Sequence, residues 1–303
     1  MKTRCPSIFR AANHSFDRAV FAGAILLITS SAPAQNLFEA DRGSGNIYEF
    51  TPGGVQSTFA SGLNAPLGLA FNSAGNLFES DYGSGNIYEF TPGGVQTAFA
   101  SGLNAPDGLA FNRAGDLFVV SAGLNNIYEY TPGGAQTTFA SGLNNPNGLA
   151  FNSAGDLFVA DWGSGNIYEF TLGGVRSTFA SRLEDPWGLA FNSAGDLFVA
   201  NYGSGNIYEF TPGGVRSTFA SGLNNPLGLA FDSAGDLFEA DYGSGNIYEY
   251  TPGGAQTTFA YGLSNPAGLA FEGETLPVPE PSALGLLAVG AAAFLVRRHR
   301  WHP

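Results

Sequence analysis

The sequence predicts an all-β protein, a six-bladed β-propeller built from four-stranded blades. A unit of 40 residues recurs without insertion, so that the dipeptide Leu-Phe returns at Leu37, Leu77, Leu117, Leu157, Leu197 and Leu237. Each unit holds four short runs rich in Phe, Tyr, Val, Ile and Thr, separated by turns rich in Gly, Asn, Asp, Ser and Pro. The repeated segment begins on a second run and ends on a first run, which indicates a ring closed by its two ends.

The four strands can be assigned from a single copy of the unit. Residues 148–151, 157–161, 166–170 and 176–180 are the first to fourth strands. Apolar and polar residues alternate clearly in N-I-Y-E-F and in R-S-T-F-A, as expected for strands with one buried face. The turn after the second strand reads D-W-G-S-G in this copy, and we expect its Asp to brace the turn by accepting backbone N–H groups.

The phase of the repeat predicts how the ring closes. Residues 268–271 form a first strand with no later strands to follow it, whereas residues 37–41, 46–50 and 56–60 lack a first strand. We therefore expect the C-terminal first strand to complete the N-terminal blade. This pairing leaves no exposed sheet edge.

The N-terminal residues 1–34 have the pattern of a helical signal peptide. A basic head precedes an apolar run at 19–28, and Ala32 and Ala34 form an A-x-A cleavage site. The run is well short of the about 20 residues that span a bilayer, so cleavage after Ala34 is favoured over a membrane anchor.

Residues 277–303 have a different pattern, that of a short transmembrane tail. A Pro-rich hinge (Val278, Pro279, Glu280, Pro281) precedes an apolar helix at 283–296 and a basic cluster that ends at Arg300. A helix of that length reaches about 21 Å, less than the roughly 30 Å hydrocarbon core. The tail is therefore a marginal permanent anchor. A plain single-pass tail anchor is the alternative.

The tail resembles the PEP-CTERM sorting signal of Gram-negative bacteria, through V-P-E-P-S, the short apolar helix and the Arg-rich end in that order. The resemblance implies recognition by an exosortase-type sorting protease after transient anchoring in the inner membrane. Release or attachment at the cell envelope, its outer surface or the extracellular space would follow. Proteins with such a signal are often associated with exopolysaccharide.

The composition of residues 35–276 excludes several classes of function. They contain no Lys, His or Cys, and five Arg against 23 Asp and Glu give a net charge of −18. Nucleic acid is an unsuitable partner, because phosphates need cations. Ser-His-Asp and Cys-His sites and zinc sites of the His/Cys type cannot be built, so we assign no catalytic residue. A divalent cation such as calcium remains possible, although no D-x-[DN]-x-[DN]-G loop is present.

The repeat P-x-G-L-A-F-N-S-A-G-D-L-F-V-A-D-x-G-S-G-N-I-Y is similar to the NHL repeat and to the six-bladed propellers that include gluconolactonases and streptogramin lyases. The resemblance covers all six copies and implies the propeller fold. Lyase activities that depend on His do not carry over, because the repeats have none. The Glu, Asn and Asp metal ligands of gluconolactonases have no matching motif positions here. A cation-dependent lactone hydrolase or lyase stays as the alternative function.

The six copies disagree mainly at two positions, which antiparallel connectivity places on the same face of the ring. The residue after the second-strand Asp is Arg42, Tyr82, Ala122, Trp162, Tyr202 or Tyr242. The residue between Pro and Gly before the first strand is Leu67, Asp107, Asn147, Trp187, Leu227 or Ala267.

Variation on one face of a constant scaffold is typical of a binding surface. The candidate ligand-binding residues are Arg42, Tyr82, Asp107, Asn147, Trp162, Trp187, Tyr202 and Tyr242. Two exposed indoles on neighbouring blades, Trp162 and Trp187, favour stacking against sugars. Drift at exposed loop tips is the alternative.

A second difference among the copies lies within the second strand. Glu39, Glu79 and Glu239 occupy a position that holds Val in the other three blades. The three Glu blades are contiguous around the ring, and an Asp follows two residues later on each strand, so a carboxylate cluster could bind a divalent cation. The alternative, which we favour here, is that these Glu side chains reach solvent from an upper strand edge.

These observations together favour an exported cell-envelope or extracellular-matrix protein that binds or scaffolds through its variable face. Its expected partners are carbohydrate, such as exopolysaccharide, or an envelope protein. A third possibility is a repeat expansion with no specific ligand.

Overall fold

Six four-stranded antiparallel sheets form a closed ring. The computed structural model describes residues 34–273 of the chain. Strands are numbered in chain order. The innermost strands are β4 (Pro66–Phe71), β8 (Pro106–Phe111), β12 (Pro146–Phe151), β16 (Pro186–Phe191), β20 (Pro226–Phe231) and β24 (Pro266–Phe271). The second strands are β1 (Leu37–Asp41), β5 (Leu77–Asp81), β9 (Leu117–Ser121), β13 (Leu157–Asp161), β17 (Leu197–Asn201) and β21 (Leu237–Asp241).

The outer half of each sheet consists of a third and a fourth strand. The third strands are β2 (Asn46–Phe50), β6 (Asn86–Phe90), β10 (Asn126–Tyr130), β14 (Asn166–Phe170), β18 (Asn206–Phe210) and β22 (Asn246–Tyr250). The fourth strands are β3 (Gln56–Ser61), β7 (Gln96–Ala100), β11 (Gln136–Ala140), β15 (Arg176–Ala180), β19 (Arg216–Ser221) and β23 (Gln256–Tyr261). One 3₁₀ turn, at Ala122–Leu124, follows β9.

The ring closes as the phase of the repeat predicts. Blade 1 has the strand order β24-β1-β2-β3, and β1 pairs with β24 in antiparallel register with Leu37 opposite Phe271. Blades 2 to 6 follow as β4–β7, β8–β11, β12–β15, β16–β19 and β20–β23. The all-β, six-bladed prediction is confirmed.

The innermost strands begin two residues earlier than the sequence pattern predicts, at Pro rather than at Gly. In blade 4 the pairing of β12 with β13 shifts between Pro146 and Leu149, so a β-bulge accommodates Asn147 and Gly148. The residue between Pro and Gly therefore lies inside the innermost strand, at the central axis of the ring, rather than in a loop.

Aromatic pairs hold neighbouring blades together. Phe38 of blade 1 packs edge-to-face on Phe71 of blade 2, with ring centroids 5.1 Å apart, and on Phe59 of its own blade at 5.0 Å. The equivalent pairs recur around the ring at the same spacing. Each such pair contributes roughly 0.5–1.5 kcal/mol beyond the burial of its area.

The Asp that ends most second strands ties two connections together, as well as bracing the turn that follows it, as predicted. Asp81 accepts the Ser84 N–H at 2.9 Å through one carboxylate oxygen, and the Asn64 N–H at 2.7 Å through the other. Asn64 belongs to the connection that enters blade 2 from the outer strand of blade 1. In blade 3 the Ser121 hydroxyl replaces the carboxylate and donates to the Asn104 carbonyl at 2.9 Å.

Within residues 34–273, no helix is long and apolar enough to cross a bilayer. The predicted signal peptide (residues 1–34) lies outside the described residues except for Ala34. The predicted tail (residues 277–303), with its hinge at 278–281, lies wholly outside them.

The glycines of the innermost strands permit the close approach of neighbouring blades, which leads to a first prediction. A Cβ at Gly148 would overlap the backbone oxygen of Trp187 in the next blade, so Gly148→Ala should lower the free energy of unfolding by about 1–3 kcal/mol. A Cβ at Gly133 would meet only the Thr131 Oγ1, at 3.9 Å, so Gly133→Ala is the matched control. Urea unfolding followed by tryptophan fluorescence measures both changes, and equal effects would contradict this account.

Candidate functional site

Six residues surround one end of the central channel, and we call them the channel mouth: Leu67, Asp107, Asn147, Trp187, Leu227 and Ala267. Beneath them lies a cavity of about 110 Å³ lined by the innermost-strand glycines and leucines. The mouth has an apolar half on blades 6, 1 and 2, and a polar half on blades 3, 4 and 5. One face of the ring therefore has a chemically divided centre.

Two predicted site residues are more deeply placed than expected. Asp107 is 4% exposed and Asn147 is 2% exposed, so neither lies at a loop tip. The bulge that brings this position into the innermost strand is the reason. The expectation of exposed indoles is also wrong, because Trp162 and Trp187 are both half-buried.

Four of the predicted residues come together with Arg42 in a continuous arc across blades 5, 6, 1 and 2, which we call the aromatic arc. Trp187 and Tyr202 lie 5.9 Å apart between ring centroids, and Tyr202 and Tyr242 lie 6.5 Å apart. Arg42 continues the arc: its Nη1 donates to the Tyr242 hydroxyl at 3.1 Å, and its guanidinium lies 5.6 Å from the Tyr82 ring centroid.

The arc lies on an apolar base formed by the mouth residues of three blades. Trp187, Tyr202 and Tyr242 pack against Leu67, Leu227 and Ala267, which are all buried. Packing of this kind restricts the rotamers of the rings, so that they form a preorganised surface.

Two residues of the arc, Arg42 and Trp187, affect the pKa of the Asp107 carboxyl. Burial raises the pKa of its carboxyl to about 7, while the Arg42 charge and hydrogen bonding from the Trp187 side chain act in the opposite direction. Asp107 therefore changes charge near neutral pH, at the centre of the mouth.

Three side-chain donors on this face are buried without an acceptor: Asn147 Nδ2, Arg42 Nε and Trp162 Nε1. All three belong to positions at which the six copies differ. Within residues 34–273, no ring pairing joins Trp162 to the aromatic arc, so Trp162 stands apart on blade 4. Buried donors without acceptors are rare in folded proteins, and each needs an explanation such as local strain, a catalytic role, or a bound water or ion.

The three Glu side chains do not reach solvent, so that expectation is wrong. Glu39, Glu79 and Glu239 are fully buried, and none of their carboxylate oxygens has a hydrogen-bond partner. The reason is strand alternation: Leu37 packs against blade 6, and a residue two positions later points to the same side of β1. Each Glu therefore enters a largely apolar interface between two blades.

Burial, and then the neighbouring Asp charge, raise the pKa of each of these Glu carboxyls well above its usual value. For Glu39 the backbone amide of Ala267 offsets part of the effect, without the geometry of a full hydrogen bond. The other interpretation, a carboxylate cluster, has no support in the arrangement either, because each Glu occupies a different interface between blades. Among residues 34–273 no three His, Cys, Asp or Glu residues are grouped closely enough to hold a metal ion.

Residues 277–300, outside the described part of the chain, match the family model of the PEP-CTERM protein-sorting motif. The chain carries a PEP-CTERM sorting motif. The matched residues include Val278, Pro279, Glu280 and Pro281, which the sequence indicated as the sorting hinge. The motif indicates export, through an exosortase, to the cell envelope or surface.

Solved structures similar to this chain include both binding proteins and enzymes. A chain of a nidogen/laminin complex aligns with a TM-score of 0.72 at 21% identity, over 80% of this chain and 99% of that one. A streptogramin B lyase aligns at 0.64 and 15% identity, over 78% and 84%. A protein described as a gluconolactonase aligns at 0.62 and 18% identity, over 69% and 82%. At these identities the likeness shows the propeller fold alone.

No curated protein matches the sequence.

Because the three Glu carboxyls are buried, we expect them to lower the free energy of unfolding by an amount that depends on pH. Their folded pKa is raised, so the unfolded chain ionises first as pH rises through about 4.5, and stability then falls until the folded pKa is reached. Glu79→Val, which copies blades 3, 4 and 5, should therefore stabilise the protein by about 1–3 kcal/mol at pH 7 and by less at pH 4. Val119→Glu should do the reverse. Urea unfolding at both pH values measures this, and a gain independent of pH would contradict it.

We expect the ionisation of the Asp107 carboxyl to change the fluorescence of Trp187, whose side chain hydrogen-bonds to it. As Asp107 ionises with a pKa of about 7, the environment of the Trp187 indole should change over that pH range. Fluorescence from pH 5 to 9, in a background with Trp162→Phe and Trp301→Phe, isolates the signal of Trp187. Asp107→Asn should abolish the transition, and a transition that persists in this variant would assign it to another group.

Proposed function

We propose that this protein is an exported cell-envelope or extracellular-matrix binding protein that recognises carbohydrate at its channel mouth and aromatic arc. The observation that carries the proposal is the continuity of the arc. Three mutually tilted aromatic rings and Arg42 follow one another across adjacent blades, next to buried polar groups. The sorting motif supports a place in the envelope, where polysaccharide is available.

The chemistry of a sugar ring fits this arrangement. Its apolar C–H faces pack on aromatic rings, and its hydroxyl groups both donate and accept hydrogen bonds. The arc offers the stacking surface over an apolar base. Asp107 and Asn147, beside it in the mouth, offer a carboxyl and an amide for hydroxyl groups. A few placed polar groups on a mainly apolar surface are typical of binding sites for small molecules.

A carboxylate-based lyase or lactone hydrolase is the second candidate, and a specific observation favours it. Asp107 is a carboxyl at the mouth with a pKa of about 7, which suits a general acid or base near neutral pH. The six repeats contain no His, Lys or Cys to accompany it as a nucleophile or base. Binding therefore accounts for more of the site than catalysis does.

Substitution of the arc tests the proposal. Trp187→Ala removes the ring that contacts Tyr202 and the apolar base, so glycan binding should weaken by about 30-fold or more. Trp162→Ala, outside the arc, should weaken it less. Tyr261, which is 81% exposed on an outer strand, supplies the control Tyr261→Ala.

Glycan-array binding of the purified full chain is the first readout, followed by calorimetry with the best glycan. Binding that survives Trp187→Ala would remove the arc as the site. Lactone turnover that is lost in Asp107→Asn, without glycan binding, would favour the enzyme.

A further inference from the structure

We propose that the channel mouth and the aromatic arc together select oligosaccharides that carry a carboxylate group, and that Arg42 of the arc receives that carboxylate. This inference rests on the proposed function, because it names the class of saccharide that the same site would take.

Arg42 is a half-buried cation without a matching anion. Its partners are neutral: the Tyr242 hydroxyl accepts from Nη1 at 3.1 Å, and the Tyr82 ring lies beneath the guanidinium. Its Nε is buried and has no acceptor. Among residues 34–273, no carboxylate forms an ion pair with Arg42. Within the same residues Arg176, Arg182 and Arg216 form no ion pair either, but all three are exposed, so Arg42 is distinguished by its burial rather than by the missing acid.

The other stacked arginines show what an ordinary surface cation does in this fold. Arg176 and Arg216 lie 5.0 and 4.9 Å from the centroids of Tyr168 and Tyr208, on exposed outer strands. Water solvates these two guanidinium groups, so they need no counter-ion. Arg42 instead lies on the central face, where part of its hydration shell is replaced by aromatic rings, and an unpaired charge there is costly.

The Arg42 charge lowers the pKa of the Asp107 carboxyl, yet Asp107 is not a full counter-ion for Arg42, because it is partly protonated near neutral pH. Burial dominates the Asp107 carboxyl and raises its pKa to about 7 in spite of the Arg42 charge. When Asp107 is protonated it carries no charge and has an O–H to donate. Arg42 of the arc and Asp107 of the mouth then present a cation and a neutral donor, which together complement a carboxylate.

Two further donors extend the site to the opposite side of the mouth. Asn147 Nδ2 and Trp162 Nε1, both on blade 4, are buried without acceptors. Ring and hydroxyl oxygens of a neighbouring sugar unit are acceptors of the right kind. A ligand of two or more units therefore fits better than a monosaccharide. An acidic peptide has carboxylates but lacks the rigid apolar faces that the aromatic arc would stack on.

The experiment compares two probes that share one sugar backbone, trigalacturonate with ionised carboxylates and its fully methyl-esterified, uncharged form. Each is titrated calorimetrically into the purified full chain at pH 6. The acid should bind at least about tenfold more tightly than the ester. Arg42→Tyr should abolish this preference, and because blades 2, 5 and 6 carry Tyr at the same position, the variant keeps a native-like side chain. Arg42→Lys should retain part of the preference.

Arg113, which lines a cavity at the other end of the channel, supplies the control. Arg113→Ser, which restores the residue of most other copies, should leave the preference unchanged. Equal binding of acid and ester would overturn this inference and leave the proposed function standing. Binding of neither these probes nor any glycan on the array would overturn both. Competition by triglutamate as strong as that by trigalacturonate would replace saccharide with an acidic peptide.

Discussion

The close approach of the six innermost strands at their glycines is the constraint on which the rest of the structure depends. At each of these positions the backbone oxygen of the next blade occupies the space that a Cβ would need. The ring can therefore be this tight only with glycine there. The residue immediately before each glycine is then held at the central axis, where six side chains of five kinds face one another. A backbone requirement that is identical in all blades thus brings together, at one point, a set of side chains that differ from blade to blade.

The functional argument depends on how a symmetric scaffold becomes asymmetric. Blades 6, 1 and 2 place Leu227, Ala267 and Leu67 at the mouth, and these support the aromatic arc. Blades 3, 4 and 5 place Asp107, Asn147 and Trp187 there, which brings polar groups into the same small volume. An apolar surface beside a polar one suits a ligand with two kinds of surface, as a sugar has. Fold likeness does not choose among functions, because similar propellers occur in a nidogen/laminin complex and in lyases.

The period of the repeat was enough to predict the strands, their pairing order and the closure of the ring. The same comparison of copies selected the variable residues of one face but not their contacts. The structure joins Trp187, Tyr202, Tyr242, Arg42 and Tyr82 in one arc and leaves Trp162 apart from it. The burial of the mouth residues could not be predicted, because the bulge that brings Asp107 into the innermost strand has no sequence signature of its own. The burial of Glu39 was missed although a signal existed. A position that holds Val in half of the copies is an interior position, whatever the other half carries.

Closure of the ring through β24 determines when, during synthesis, the first blade can be completed. The Asp41 carboxylate that braces blade 1 accepts the Ser264 N–H, although the two residues are 223 positions apart in the sequence. The pairing of β1 with β24 joins the two ends of the propeller in the same way. Long-range pairings of this kind pay a large loop-closure entropy and form late. Until synthesis passes Phe271, the first blade lacks its innermost strand and its edge is open. The ring can therefore close only after β24 has been synthesised, and a chain that ended before Pro266 would leave the β1 edge of blade 1 unpaired.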